Sequence, residues 1–284
     1  MSETIEEKVM RFSKIILNST NPVLMQTEFN SIISNNNPGE TTIRNLKKKL
    51  TEAKVIKTVT LRSEGYKDVE RIAIPKLNPS PYHYAVSLRK GTYLCHSSSI
   101  NLLGLTQQIP KTIYVNKEQS PKKASDAPLN QEAIDRAFSN QQRRSQYIFK
   151  IDGYQIILLS GKWSNNLGVE EDNNLGLLRT SLERTLIDIT VRPRYAGGVF
   201  KVLEAYKAAL PEISFHHLAS LLDIMEYKYP YHQAIGFYLE KAGAEDAVLE
   251  LFRKPGIHFN FYLDYAMASK NFNESWKIFF PLGI

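Results

Sequence analysis

Residues 40–74, ETTIRNLKKKLTEAKVIKTVTLRSEGYKDVERIAI, decide the reading of the fold. Ile43, Leu46, Leu50 and Ala53 recur three or four apart, the period of a helix with one apolar side. Thr41 or Thr42 can cap its start, because a threonine oxygen accepts an unpaired N–H of the first turn. Residues 55–61 then alternate as a strand, 62–67 (RSEGYK) turn the chain, and 69–74 return as a second strand. Upstream, Ile5, Val9, Phe12, Ile15 and Ile16 predict a helix over 3–18, ended by NSTNP at 18–22. Leu24, Phe29, Ile32 and Ile33 predict a second over 24–34, and NNNPG at 35–39 is turn chemistry. Three helices and a β-hairpin ahead of Pro75 are the order of a winged helix-turn-helix, so 1–77 is expected to be such a domain.

The third helix of that architecture enters the major groove of double-stranded DNA. Its polar face here carries Thr41, Thr42, Arg44, Asn45, Lys48 and Lys49. Arg44 and Asn45 lie near the helix start, where an arginine or asparagine reaches a base edge in bidentate fashion. Lys47, Lys48 and Lys49 suit phosphates, and Arg62 and Lys67 flank the tip of the expected wing. Residues 38–62 hold seven cations against two anions, an electrostatic footprint for a polyanion. The same run also fits a solvated helix face, and winged helices also serve as protein-interaction modules.

The whole chain bounds the answer further. Its 284 residues are enough for two domains, and 43% apolar with 23% charged residues is a globular balance. One cysteine, Cys95, excludes an internal disulfide and a cysteine-based zinc cluster. No apolar run is long enough for a transmembrane helix, and MSETIEEK at 1–8 lacks a signal peptide's basic start, so a soluble, cytoplasmic protein without a membrane role is expected. The net charge of +7 is uneven: +4 over 1–77, +5 over 78–160 and −2 over 161–284.

NPSP at 78–81 marks the expected boundary, and 78–284 read as a larger mixed α+β domain with a helical C-terminal half. A short helix or turn at 82–90 leads to a strand end feeding a helix at 93–105, with the serines 97–99 available as caps. Strands are expected at 113–115, 146–151 and 155–160, the last two joined by Asp152-Gly153, and a short helix at 132–138. Residues 165–174 read as a polar loop. From Leu177 the chain reads as helical, with helices at 181–191, 198–210, 215–225, 231–242 and 244–252 and terminal strands at 257–263 and 276–280.

The densest charges lie in 180–193, TSLERTLIDITVRP. Thr180 and Glu183 have capping-box spacing, and Arg184 and Asp188 are four apart on one helix face. Glu183, Asp188, Arg192 and Arg194 could gather around an anion or metal, or belong to a capped, ion-paired helix with Leu182, Leu186 and Ile189 inside. Gly197-Gly198 precede a helix whose N–H groups could cradle phosphate, though no G-K-[ST] follows, and close packing explains the pair as well. His216-His217 cannot easily share a metal, because neighbours on a helix diverge by about 100°. Cys95-His96 is no catalytic pair by adjacency, and YKYPY at 227–231 reads as core or a partner patch. No catalytic residue, metal or cofactor is assigned.

Residues 93–115 (YLCHSSSINLLGLTQQIPKTIYV) and 180–198 (TSLERTLIDITVRPRYAGG), with the winged-helix layout before them, resemble the AbiEi-type antitoxins of type IV toxin–antitoxin systems, which act in abortive phage infection. The resemblance spans nearly the whole chain. It implies a non-enzymatic protein that represses its own operon at promoter inverted repeats. It also implies a second domain, 78–284, that counteracts a co-encoded nucleotidyltransferase-fold toxin. Glu183, Arg184, Asp188, Arg192, Gly197 and Gly198 are the family-motif residues, structural or part of the antitoxin surface. In some members the second domain adds a basic DNA surface, for which Arg89, Lys90, Lys111, Lys122 and Lys123 are available. Two rival readings stay open: a winged-helix regulator sensing a small ligand, and a magnesium-dependent nuclease built on Glu183 and Asp188.

Overall fold

Helix α1 (Ile5–Leu17) opens on a reciprocal cap. The Thr4 hydroxyl accepts the Glu7 N–H at 3.2 Å, and the Glu7 carboxylate accepts the Thr4 N–H at 2.8 Å, satisfying two donors that the helix leaves unpaired. The computed structural model describes residues 3–122 and 128–284 as an α+β chain. The chain forms two compact units, Met1–Thr92 with Gln146–Leu158, and Tyr93–Ser145 with Leu159–Ile284. The first therefore holds the 1–77 segment together with residues 78–92 and a later hairpin. Among the described residues no helix is long and apolar enough to cross a membrane.

After α1 the first unit continues with β1 (Val23–Leu24), α2 (Gln26–Asn35), α3 (Ile43–Glu52), β2 (Lys57–Ser63) and β3 (Val69–Ala73). Leu24 does not open the second helix as its spacing predicts. Its backbone pairs with β3 instead, Val23 opposite Ala73 and Leu24 opposite Ile72. Helix α3 starts at Ile43 because Thr42, in extended backbone, accepts the Asn45 N–H and so ends the run of helical geometry. Strands β2 and β3 pair antiparallel from Lys57–Ala73 to Leu61–Val69. Phe12 and Ile16 of α1, Phe29 and Ile33 of α2, Leu46 and Leu50 of α3, and Ile72 of β3 are all buried in one core. Each such side chain contributes about 1.5–3 kcal/mol by leaving water.

Beyond a 3-10 turn, α4 (Pro81–Val86) packs back through a buried arginine. Arg71 donates to the Ser87 carbonyl (2.8 Å), the Ser87 hydroxyl (3.1 Å) and the Leu88 carbonyl (3.0 Å). After β4 (Tyr93–Leu94), α5 (Ser97–Leu102), β5 (Thr112–Asn116) and α6 (Gln131–Ser139) of the second unit, the chain returns to the first as β6 (Ile148–Ile151) and β7 (Tyr154–Leu159). Asp152 and Gly153 join them, both with positive φ (45° and 79°), as a tight turn matching strand twist requires. Strand β6 also pairs with β2, Arg62 opposite Lys150 and Ser63 opposite Phe149, giving the order β1-β3-β2-β6-β7.

The second unit adds β8 (Val169–Glu171), β9 (Leu178–Thr180), α7 (Leu182–Val191), α8 (Val199–Ala209), α9 (Phe215–Ile224), α10 (Tyr231–Ala242) and α11 (Asp246–Arg253). It ends with β10 (Phe261–Tyr262), β11 (Lys270–Asn273) and β12 (Ile278–Pro281). Its strands run β5-β4-β9-β8, with a separate sheet β10-β12-β11. Three strands correct the sequence expectation. Residues 169–171 and 178–180 pair antiparallel where a polar loop and then helix were expected. Polar groups close that ladder: Asp172 accepts the Asn174 and Leu175 N–H groups, and Arg179 binds Glu170 at 2.8 Å and Asp172 at 3.1 Å. Strand β11 pairs Lys270–Asn273 along β12.

Helices α7 and α10 are buried nearly all round and form the centre of the second core. Fully buried Trp276 lies against Gly236 of α10, where any Cβ would enter the indole ring. Gln233 donates to the Trp276 carbonyl at 2.7 Å, and the Trp276 N–H donates to Glu240 at 2.7 Å.

Candidate nucleic-acid interface

Helix α3 presents Arg44, Asn45 and Lys48 outward, all exposed. Positions 44 and 48 are four apart and share one face. The neighbouring predicted contacts are partly committed. The Thr42 oxygen is used by the cap, and Thr41 accepts the Lys8 ammonium at 2.9 Å. Lys47 donates to Gln26 of α2 at 2.6 Å. Lys49 binds Glu52 at 3.0 Å, with Lys48 at 3.9 Å from the same carboxylate. The Lys49 hydrogen bond draws the Glu52 carboxyl below its usual range. Such exposed pairs contribute little to stability.

The β2–β3 turn is built by side chains. Asp68 accepts the Ser63 N–H at 2.8 Å, and the Ser63 hydroxyl accepts the Tyr66 N–H at 3.0 Å. Arg62 and Lys67 are exposed there. The turn is not a free tip, however. Glu64 pairs with Lys150 of β6, and Tyr66 stacks on Tyr147 with centroids 4.4 Å apart. The Arg89 guanidinium lies 5.6 Å from the Tyr147 ring. Sequence reasoning missed Tyr66, Tyr147 and Lys150. The one available signal was an aromatic residue beside Gly65 in an otherwise polar turn. Of the five further cations, Arg89 and Lys90 belong to the first unit and Lys111 and Lys122 to the second, all exposed. Lys123 lies outside the described residues.

The 180–198 motif forms a buried network. Ser181, not Thr180, caps α7 by accepting the Arg184 N–H. The Thr180 hydroxyl instead bonds Ser99 at 2.8 Å and Thr185 at 2.6 Å. Glu183 reaches across to accept the Ser214 N–H at 3.0 Å. Arg184 and Asp188 pair as the spacing predicts, at 2.9 Å. Arg184 also donates to the Ser164 hydroxyl at 3.0 Å, to the Leu167 carbonyl, and to the Tyr93 hydroxyl at 3.4 Å. Glu118 lies 4.0 Å from Arg184 and accepts from Ser164 N–H (2.8 Å), Ser164 O–H (2.5 Å), Asn166 N–H (3.3 Å) and Tyr93 O–H (3.1 Å).

Burial alone would raise the Glu118 pKa, but these hydrogen bonds bring it below the usual carboxylate range. Burial alone would lower Arg184, and the adjacent Asp188 carboxylate reverses that. Tyr93, Glu118 and Ser164 were not foreseen as its partners.

Of the two arrangements open for this segment, the ion-paired helix is the one seen, and Arg192 and Arg194 bond elsewhere. Arg192 donates to the Tyr265 hydroxyl at 2.7 Å, and Arg194 approaches Asp264 at 3.7 Å. Among the described residues no group of three or more His, Cys, Asp or Glu is placed to hold a metal. Gly197 and Gly198 have φ of 97° and 100°, so conformation rather than packing accounts for the pair. His216 and His217 are exposed on α9. Cys95 is fully buried, and burial pushes its thiol pKa up. The serines at 97–99 do not cap α5: the cap position is His96, while Ser98 and Ser99 bond the Tyr114 N–H and the Leu94 carbonyl. Buried His96 meets Tyr195 edge-on at 5.2 Å, and burial lowers its pKa to about 4, so it is neutral at pH 7.

No protein-family model matches the chain, and no curated protein matches it. Among solved structures it is similar to the crystal structure of the RV2827C protein from Mycobacterium tuberculosis, with a TM-score of 0.58 at 11% identity over 98% of this chain and 92% of that one. At that identity the likeness shows the fold alone, a mixed α+β architecture along the length of both chains.

Proposed function

We propose that this protein is a DNA-binding antitoxin and transcriptional autorepressor of a type IV toxin–antitoxin operon, working in the cytoplasm. The observation that carries the DNA-binding half is the outward face of α3, where Arg44 and Asn45 near the helix start and Lys48 in its middle are exposed. The order α1, β1, α2, α3, β2, β3, with β1 on β3, supports reading 1–77 as a winged helix-turn-helix. In this reading α3 enters the major groove, Arg44 and Asn45 read base edges, and Lys47 to Lys49 neutralise phosphates. Arg62 and Lys67 add contacts from the β2–β3 turn. The antitoxin half rests on the family resemblance of 93–115 and 180–198, and its partner is the co-encoded nucleotidyltransferase-fold toxin. Glu183, Arg184 and Asp188 then act as a folding signature of the antitoxin domain, since their polar groups are spent internally.

Arg44→Ala tests the base-reading role. Binding to the promoter of its own operon is expected to weaken by roughly 1–3 kcal/mol, with relaxed preference at one base position. Fluorescence anisotropy on promoter and random duplexes measures both. Equal weakening on the two DNAs would make Arg44 a phosphate contact, and no weakening on either would remove α3 from the interface.

A further inference from the structure

Beside the C-terminal end of α9 lies a cavity of about 180 Å³, lined in part by Asp223, Glu226, Tyr227, Tyr229, Tyr231 and His232. Its volume is below the roughly 300–1,000 Å³ of pockets for drug-sized ligands, so it suits a small group. Its lining combines three tyrosines with two carboxylates. Tyr231 meets Tyr227 edge to face at 5.3 Å and Tyr229 at 6.3 Å, so the three rings do not lie parallel. Helix α9 ends here, bringing the partial negative charge of its terminal carbonyls. Asp223 and Glu226 are exposed and form no close ion pair among the described residues, although Glu226 and the Lys162 ammonium attract each other at longer range.

The chain places an ammonium of its own against Tyr227. The Lys162 ammonium donates to the Glu226 carbonyl at 2.7 Å and to the Met225 carbonyl, and lies 5.2 Å from the Tyr227 ring. It covers one face of Tyr227. The ring nitrogen of His232 bonds the Gly256 carbonyl at 3.0 Å, and burial lowers the His232 pKa, which favours its neutral form, while Lys162 is not among the residues that line the cavity.

We propose that the cavity formed by Tyr227, Tyr229 and Tyr231 binds a small organic ammonium ion, held by the tyrosine faces and by the carboxylates of Asp223 and Glu226. Aromatic faces attract such a cation through their quadrupole, and the carboxylates add direct charge attraction. The site lies wholly within the second unit and does not rest on the DNA-binding or antitoxin reading.

Nuclear magnetic resonance titration of the full chain with tetramethylammonium chloride tests it, with tert-butanol as a neutral isostere and sodium chloride as the ionic-strength control. Saturable shifts with tetramethylammonium alone are expected, weakened at least about fivefold in the Asp223→Asn, Glu226→Gln double variant. The Glu212→Gln variant, altered at an exposed carboxylate that does not line the cavity, is expected to bind like the unaltered chain. The carboxylates changed are exposed, so the variant's fold is checked by an unchanged unfolding midpoint. Equal binding of tert-butanol, no saturable binding, or binding insensitive to the double substitution would overturn the proposal.

Discussion

Arg184→Ala is expected to destabilise the second unit by about 3–5 kcal/mol, the cost of breaking a buried ion pair by removing one partner. The Arg184 side chain is only 3% exposed, and the carboxylates it faces, Asp188 and Glu118, are 10% and 7% exposed. Removing the guanidinium leaves two buried carboxylates without their cation and strips donors from Ser164 and the Leu167 carbonyl. Urea unfolding with probes in each unit measures the effect, because two units need not unfold together. As a contrast, Lys49→Ala removes an exposed pair and is expected to cost under about 1 kcal/mol. An Arg184→Ala variant unfolding at the same urea concentration as the unaltered chain would refute the structural role given to the motif.

Acid should reach the same network. The Glu118 pKa is depressed in the folded chain, so its contribution is present above the unfolded carboxylate pKa. It is lost as pH falls through the lower folded value. The Arg184 cation persists throughout that range.

Promoter binding is expected to fall about a thousandfold between roughly 50 mM and 200 mM salt. About six phosphate contacts per protomer give a slope of log affinity on log salt near −5, because each neutralised phosphate releases condensed counterions. In the proposed interface Lys47, Lys48, Lys49, Arg62 and Lys67 would supply most of that number. Lys48→Ala, whose side chain is 75% exposed and only distantly paired, should reduce the slope by about 1 and weaken binding uniformly across sequences. A shallow slope, near that of one or two contacts, would contradict a DNA interface on this face.

The helices of the first unit were legible because their apolar residues repeat at one period and local turn chemistry separates them. Phe12, Phe29 and Leu46 all lie in the core that this spacing implies. The Arg184–Asp188 pair was legible for the same reason, both partners being set by four residues of one helix. What was not legible is non-local. Nothing in the local pattern links Glu118 or Ser164 to Arg184, since those contacts span 20 residues or more. Strands β8 and β9, three residues each, carry no alternating apolar run and are held by Asp172 and Arg179. The bracing of the β2–β3 turn by β6 was hidden likewise, because Tyr66 and Tyr147 meet only after folding.

The most direct test of the antitoxin and autorepressor account is growth of a bacterial host expressing the neighbouring toxin gene, with this protein supplied from a separate promoter. The separate promoter removes autorepression from the comparison. The account predicts growth arrest by the neighbouring gene and its relief by the full chain, with relief retained in Arg44→Ala, whose lesion is confined to DNA reading. Toxicity that the full chain fails to relieve, or no toxicity at all, would contradict it.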